Sequence, residues 1–260
     1  MTSSAPGPAA VRPSPEAAFA AALAADPGGP LLTYYDLATG ERVELSARSL
    51  GNWVAKTHHL LATSLGLGPG DLAYAALPTH WMSAAALLAA FTAGLCVTQS
   101  AEDAGEAQAA FVAESTAAPA VSAGAEEVFA LSLAPLGRPF DPAPPVGCED
   151  FVLAVRPMPD AWATVQAPAS GADPAIASGP ARLSRAQLMD DAAARAARLG
   201  LGSGARMLAI GEQDWRDWLL APLAVGGSVV LIAGLDPSAP DAEARIERIA
   251  GAERTTATLR

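Results

Sequence analysis

The chain has 260 residues, 51% hydrophobic and 17% charged, enough to fill one large core or two small ones and too apolar for a disordered protein. Its 16 basic and 27 acidic side chains give a net charge of 16 − 27 = −11 and an isoelectric point near 4.6, which argues against a basic groove for nucleic acid. Two cysteines, Cys96 and Cys148, make no disulfide framework, and three histidines without Cys/His spacing suggest no metal site.

Residues 1–29 read as a flexible tail and a short helix. The start lacks a cationic segment followed by a bulky apolar run, so it does not resemble a secretion signal. Leu31–Asp36 and Arg42–Leu45 flank Ala38-Thr39-Gly40 as a β-hairpin. Ser46 caps a helix whose Leu50, Trp53, Val54, His58 and Leu61 recur at helical spacing, with Gly66 at its end. After the turn Pro69-Gly70-Asp71, a strand is predicted over Leu72–Leu77. A helix carries Trp81, Leu87 and Leu88, and a second strand covers Leu95–Thr98. The apolar run from Trp81 to Val97 is short for a membrane span and contains Gly94, so a buried helix running into a strand is expected. Further on, Pro119–Val121 reads as a strand edge, Glu126–Leu133 as a strand or short helix, Arg138–Gly147 as connector and Asp150–Val155 as a strand. No partner is visible in sequence for the acids near Asp150.

The same signals return downstream. LGLGPGDLAYAALPTHW from Leu65 aligns without a gap on LGLGSGARMLAIGEQDW from Leu199, an offset of 199 − 65 = 134. Ser184 caps a second helix carrying Leu188, Ala192 and Leu199, and Ser203-Gly204 is the turn. Met207–Ile210 and Ser228–Ile232 are the strands, and Trp215, Trp218, Leu219 and Leu223 lie on the helix between them. The first copy has four more residues before its LGLG, about one helical turn. Strand, helix, strand in that order implies parallel pairing. A helix over Asp241–Ile249 and an edge strand at Thr255–Leu259 complete the chain. The predicted organisation is a first αβ repeat over 30–122, a connector with strands over 123–165, and a second repeat over 166–260.

LLTYYDL, LGLGPGDLAYAALPTHW and LAAFTAGLCVTQS occur in the order and at the spacing of the opening motifs of adenylate-forming enzymes. From Pro30 to Ile232 the chain resembles the N-terminal region of that superfamily of acyl-CoA synthetases, adenylation domains and luciferases. The resemblance implies an α/β fold of two pseudo-symmetric αβ lobes with largely parallel sheets flanked by helices. Ala130–Phe140 (ALSLAPLGRPF) and CEDFVLAVRPMPD from Cys148 also resemble a small actinobacterial family of short proteins with faint similarity to AMP-binding enzymes, for which no activity is implied.

The resemblance also implies a phosphate loop of the type SGTTGxPKG, whose amides, hydroxyls and lysine hold a triphosphate. The corresponding stretch is Ala167–Leu183, where Ser170 and Gly171 match the start of a degenerate loop and are the cofactor-binding candidates. Ala172 and Asp173 replace the hydroxyl run, and no lysine follows. Lys56 is the chain's only lysine and lies in the first helix, where it reads as a solvated charge. Losing one charge-assisted hydrogen bond costs about 1.5–3 kcal/mol, and an aspartate nearby adds repulsion.

Arg182 and Arg185 read as surface arginines, Asp214 and Asp217 as solvent-facing, Trp215 and Trp218 as core or interface. His58 and His59 point to different sides of their helix. No catalytic residue and no metal ligand is identified, and ATP or AMP enters only if the chain is a divergent ligase. The expectation is a cytoplasmic, non-catalytic binding or interaction module. A homo-oligomer or a protein partner would cover the incomplete domain, with no nucleic acid and no membrane. The alternative is an AMP-forming ligase completed by a partner chain or by unusual nucleotide contacts.

Overall fold

The computed structural model describes residues 14–162 and 169–260. The predicted tail at residues 1–13 and part of the connector lie outside them.

Helix α1 (Pro15–Ala25) leads into the hairpin β1 (Pro30–Asp36) and β2 (Glu41–Ser46), then α2 (Ala47–His59). The unit β3 (Leu72–Ala76), α3 (Trp81–Thr92), β4 (Cys96–Thr98) follows. Next come β5 (Ala109–Ala113), α4 (Ala117–Ala123), β6 (Glu127–Leu131), β7 (Glu149–Asp150) and α5 (Phe151–Val155). A second hairpin, β8 (Pro174–Ser178) and β9 (Ala181–Ser184), precedes α6 (Arg185–Arg198). The unit β10 (Arg206–Ile210), α7 (Ala221–Ala224), β11 (Ser228–Ala233) comes next, then α8 (Ala242–Glu253) and β12 (Ala257–Leu259).

Two mostly parallel sheets result, ordered β12-β10-β11-β1-β2 and β7-β6-β5-β3-β4-β8-β9. Each takes its hairpin from the other half of the chain. β1 runs parallel to β11, with Leu32 opposite Val229, and β8 runs parallel to β4, with Ile176 opposite Val97. Side-chain alternation sorts each strand between layers. Val229 and Leu231 of β11 face the central core, whereas Val230 and Ile232 join α8 on the outer face. In β5, Phe111 faces the central core while Ala110 and Val112 pack with α4. The middle layer holds α3, in which every residue from Trp81 to Phe91 is buried, as expected of a helix apolar all round. Alanine and leucine make up most of it. Within this central layer, Trp215 and Trp218 are core residues.

At the offset of 134, both segments form strand, helix, parallel strand. Thr79 and Gln213, 134 apart, bond reciprocally: Gln213 N donates to Thr79 Oγ1 at 2.9 Å and Thr79 Oγ1 donates to Gln213 O at 3.4 Å. α2 continues into a π-helical turn at Leu60–Ser64, so the helical stretch before Leu65 is longer than α6 before Leu199.

At Asp150–Val155 and Pro119–Val121 the structure departs from the strands expected. Asp150–Val155 is a helix through most of its length: Asp150 Oδ1 accepts from Val152 N and Leu153 N, and that cap overrides the strand preference of FVLAV. Asp150 also accepts from Phe140 N, so it has three backbone partners. The Pro119–Val121 segment is helical, with the proline in the first turn, where its missing N–H costs nothing. β5 carries little strand signal in sequence because AAFVA is mostly alanine. The stretch corresponding to the phosphate loop forms β8 and most of β9 rather than a loop.

Candidate functional site

The stretch 167–183 carries the phosphate-loop candidates, and residues 167 and 168 lie outside the described residues. Ser170 and Gly171 form a turn leading into β8. Asp173 Oδ2 accepts from Ser170 N at 2.6 Å, and Ser170 Oγ accepts from Ala172 N at 3.3 Å. Gly171 contributes its carbonyl to Ala186 N at the start of α6. The structure brings Ser170 and Gly171 together in a closed turn whose first amide is spent on an internal carboxylate.

A second Ser-Gly pair, overlooked in the sequence, lies at the tip of the hairpin. Gly179 and Pro180 alone connect β8 to β9, and Gly179 has φ +54°, as a two-residue turn with glycine first requires. The signal was there: a Gly-Pro dipeptide between two short apolar-alternating runs. The Gly179 amide donates at 3.1 Å to Oδ2 of the buried Asp103, which also accepts from Thr98 Oγ1 at 2.9 Å. Arg182 Nη1 turns back onto the Gly179 carbonyl. Nothing in the sequence marks Asp103 as the partner of this turn.

Beside the hairpin, at the ends of β4 and β8, lies a crevice of about 340 Å³ whose polar lining includes Gln99, Ser100, Ser178 and Arg216. Its wall is already paired: Trp215 Nε1 donates to Gln99 Oε1 at 2.9 Å, and Arg216 forks onto Asp214. Asp214 and Asp217 do not simply face solvent, because Arg195 bonds to both, Arg198 to Asp217 and Arg216 to Asp214. Burial alone would raise the Asp214 carboxyl, but Arg216 and Arg195 outweigh it and hold it below the usual range.

Arg185 is not a surface residue. It has no exposed area and donates to Glu16 Oε2 at 2.7 Å, Phe91 O at 2.9 Å and Leu95 O at 3.1 Å. It thereby caps the C-terminus of α3 and ties α1 and α6 to it. Lys56 is not merely solvated. Its Nζ donates to Arg156 O at 3.2 Å and Met158 O at 2.5 Å, fastening the segment after α5 to α2. His58 is buried against Thr92 and His59 bonds to Ala161 O; their rings stand 6.4 Å apart, edge to face, and both reach the segment 161–162 rather than pointing apart. Burial pushes the thiols of both Cys96 and Cys148 up. No helix among the described residues is long and apolar enough to cross a membrane.

The fold matches solved structures across about nine-tenths of this chain. They include the anthranilate CoA ligase AuaEII in complex with anthranoyl-AMP (TM-score 0.67, 14% identity, 94% of this chain and 48% of that one). Acetoacetyl-CoA synthetase from Streptomyces lividans matches with TM-score 0.69 and 21% identity, over 92% of this chain and 41% of that one. An acyl-CoA synthetase from Brucella canis matches with TM-score 0.66 and 18% identity, over 88% and 44%. The chain thus spans less than half the length of these proteins, and what it shares with them is the fold of the N-terminal domain of adenylate-forming enzymes. No family model matches the chain. A TIGR03089 family protein of Mycobacterium tuberculosis (strain ATCC 25618 / H37Rv) is 39% identical over 245 residues, covering 91% of this chain and 94% of the relative. By that likeness the chain belongs to the TIGR03089 family.

Proposed function

We propose that the chain is a non-catalytic module with the fold of adenylate-forming ligases, acting by binding rather than by adenylation. One observation carries this reading: the hairpin turn is two residues long and its Gly179 amide is committed to Asp103. An anion at that amide would have to displace a carboxylate. Two unit charges 4 Å apart repel by on the order of 4 kcal/mol at an effective dielectric of 20. The neighbouring turn repeats the arrangement, with Asp173 on the Ser170 amide. Arg182 and Arg185, the cations closest in sequence, are spent on carbonyls and on Glu16. We also read the two copies as an internal duplication, a reading supported by the reciprocal bonds of Thr79 and Gln213.

The test is pyrophosphate exchange with a panel of carboxylic and amino acids, together with calorimetric titration of ATP and AMP into the purified chain. Neither exchange nor binding heat is expected, and nucleotide-dependent exchange by the pure protein would overturn the reading. A second reading, a ligase half completed by another chain, is favoured by the crevice beside β4 and β8 and by the chain's span of under half its structural neighbours. It requires millimolar ATP to bind without the partner.

A further inference from the structure

We propose that the loop 132–141 is the seat of a symmetric dimer in which Leu136 of each chain enters a hollow beside the same loop of a second copy. The sequence motif ALSLAPLGRPF forms this loop, and none of it serves the site described above. Leu136 adopts φ +60° and Leu133 φ +53°, left-handed values that cost a bulky L-residue stability. The surroundings enforce the conformation. Glu41 Oε1 accepts from Leu136 N at 2.8 Å. Gly137 presses on Trp81 and Trp53, where a Cβ would lie 3.2 and 3.3 Å from the rings, and Arg156 Nη2 donates to its carbonyl at 3.4 Å. The product of this strain is a leucine held out with 78% of its area exposed.

Next to that knob is a hollow of about 550 Å³ lined by Glu114, Ser132, Ala134, Arg138, Phe140 and Asp141. A knob and a hollow side by side on one surface are what a two-fold contact needs, because each chain then gives and receives the same group. The charges fit the same partner. Arg138, Glu114 and Asp141 are exposed and form no ion pair among the described residues. Across a two-fold axis, Arg138 of one chain meets the acids of the other. A net charge of −11 opposes self-association, and a patch carrying unpaired charges of both signs lowers that cost. The inference is independent of nucleotide binding.

Sedimentation of the full chain over a range of concentrations tests it. The wild type is expected to be a reversible dimer. Leu136→Asn removes the knob while asparagine tolerates the left-handed backbone, so association should weaken at least about thirtyfold while the dissociated chain stays folded by circular dichroism. Arg138→Glu and Glu114→Arg should each weaken the dimer, and mixing the two variants should restore it. A wild type that stays monomeric at every concentration overturns the proposal. So does a dimer that Leu136→Asn leaves intact, or association only with a different protein.

Discussion

The Arg185 guanidinium, with no exposed surface, meets the Glu16 carboxylate at 2.7 Å across 169 residues of sequence. The pair joins the first described helix to the first turn of α6, and the same guanidinium bonds to the Phe91 carbonyl in the last turn of α3 and to the Leu95 carbonyl just beyond it. The arginine is fully buried while the glutamate keeps 24% of its side chain exposed, so Arg185→Met removes three bonds from the interior at once, whereas Glu16 can still meet solvent. Arg185→Met is therefore expected to cost about 3–5 kcal/mol, read as a lowered urea midpoint. Glu16→Gln keeps an acceptor and should cost less than half as much. Equal losses in the two variants would contradict a pair in which the arginine's carbonyl bonds matter.

Asp103 makes a prediction about anions. Replacing Asp103 and Asp173 by asparagine keeps both acceptors and removes both charges beside the two turns. Calorimetry with inorganic pyrophosphate should find the double variant binding at least tenfold more tightly than the wild type, about 1.4 kcal/mol. If wild type and variant bind alike, the carboxylates are not what keeps phosphate out. Asp103→Ala removes the acceptor as well and should lower stability by about 1–3 kcal/mol.

Lys56 has a structural task in place of a chemical one. Lys56→Met abolishes its bonds to two main-chain carbonyls and is expected to destabilise by about 1–2 kcal/mol. Hydrogen exchange should rise at residues 156–162 more than elsewhere. The response to ATP should be the same in wild type and variant, and any nucleotide effect confined to the wild type would return the lysine to the chemistry.

His80 sets a pH dependence. Its Nδ1 accepts from Met82 N at 3.1 Å and so caps α3, which requires an unprotonated nitrogen. The ring packs 4.4 Å from that of Tyr34. Burial lowers its pKa from 6.5 to about 3, against a small upward pull from Asp36. The folded value lies below the unfolded one, so the unfolded chain binds more protons between them. This contribution is whole above pH 6.5 and is lost as pH falls toward 3, at up to about 1.4 kcal/mol per pH unit. His80→Asn, which also caps, should flatten the stability profile over that window. An unchanged slope would mean that other groups set it.

What the sequence disclosed follows from how local each signal is. The hairpin before α2, the two strand–helix–strand units and α8 were legible because glycine turns and apolar runs bracket them. FVLAV misled because the aspartate that makes it a helix acts through two backbone amides, not through propensity. β5 and β8 were hidden by alanine, which marks neither strand nor helix when packed between layers. The site was less legible still. Asp103 lies 76 residues before Gly179, Arg156 lies 100 residues beyond Lys56, and Glu16 lies 169 before Arg185, so no window of sequence contains either partner's purpose.

The exchange of hairpins between the sheets has a consequence for how this chain must fold. β1 finds β11 only by bringing Leu32 to Val229, a closure of 229 − 32 = 197 residues, and β4 waits for β8 across the connector. β3 to β7 pair among themselves within residues 72–150, but both sheets are finished only by strands from the other half of the chain, and contacts this distant make for slow assembly. Severed in the connector between α5 and β8, the halves are expected to be poorly soluble apart and to reconstitute when refolded together. A half that meets another of its own kind offers it the same vacant strand edge.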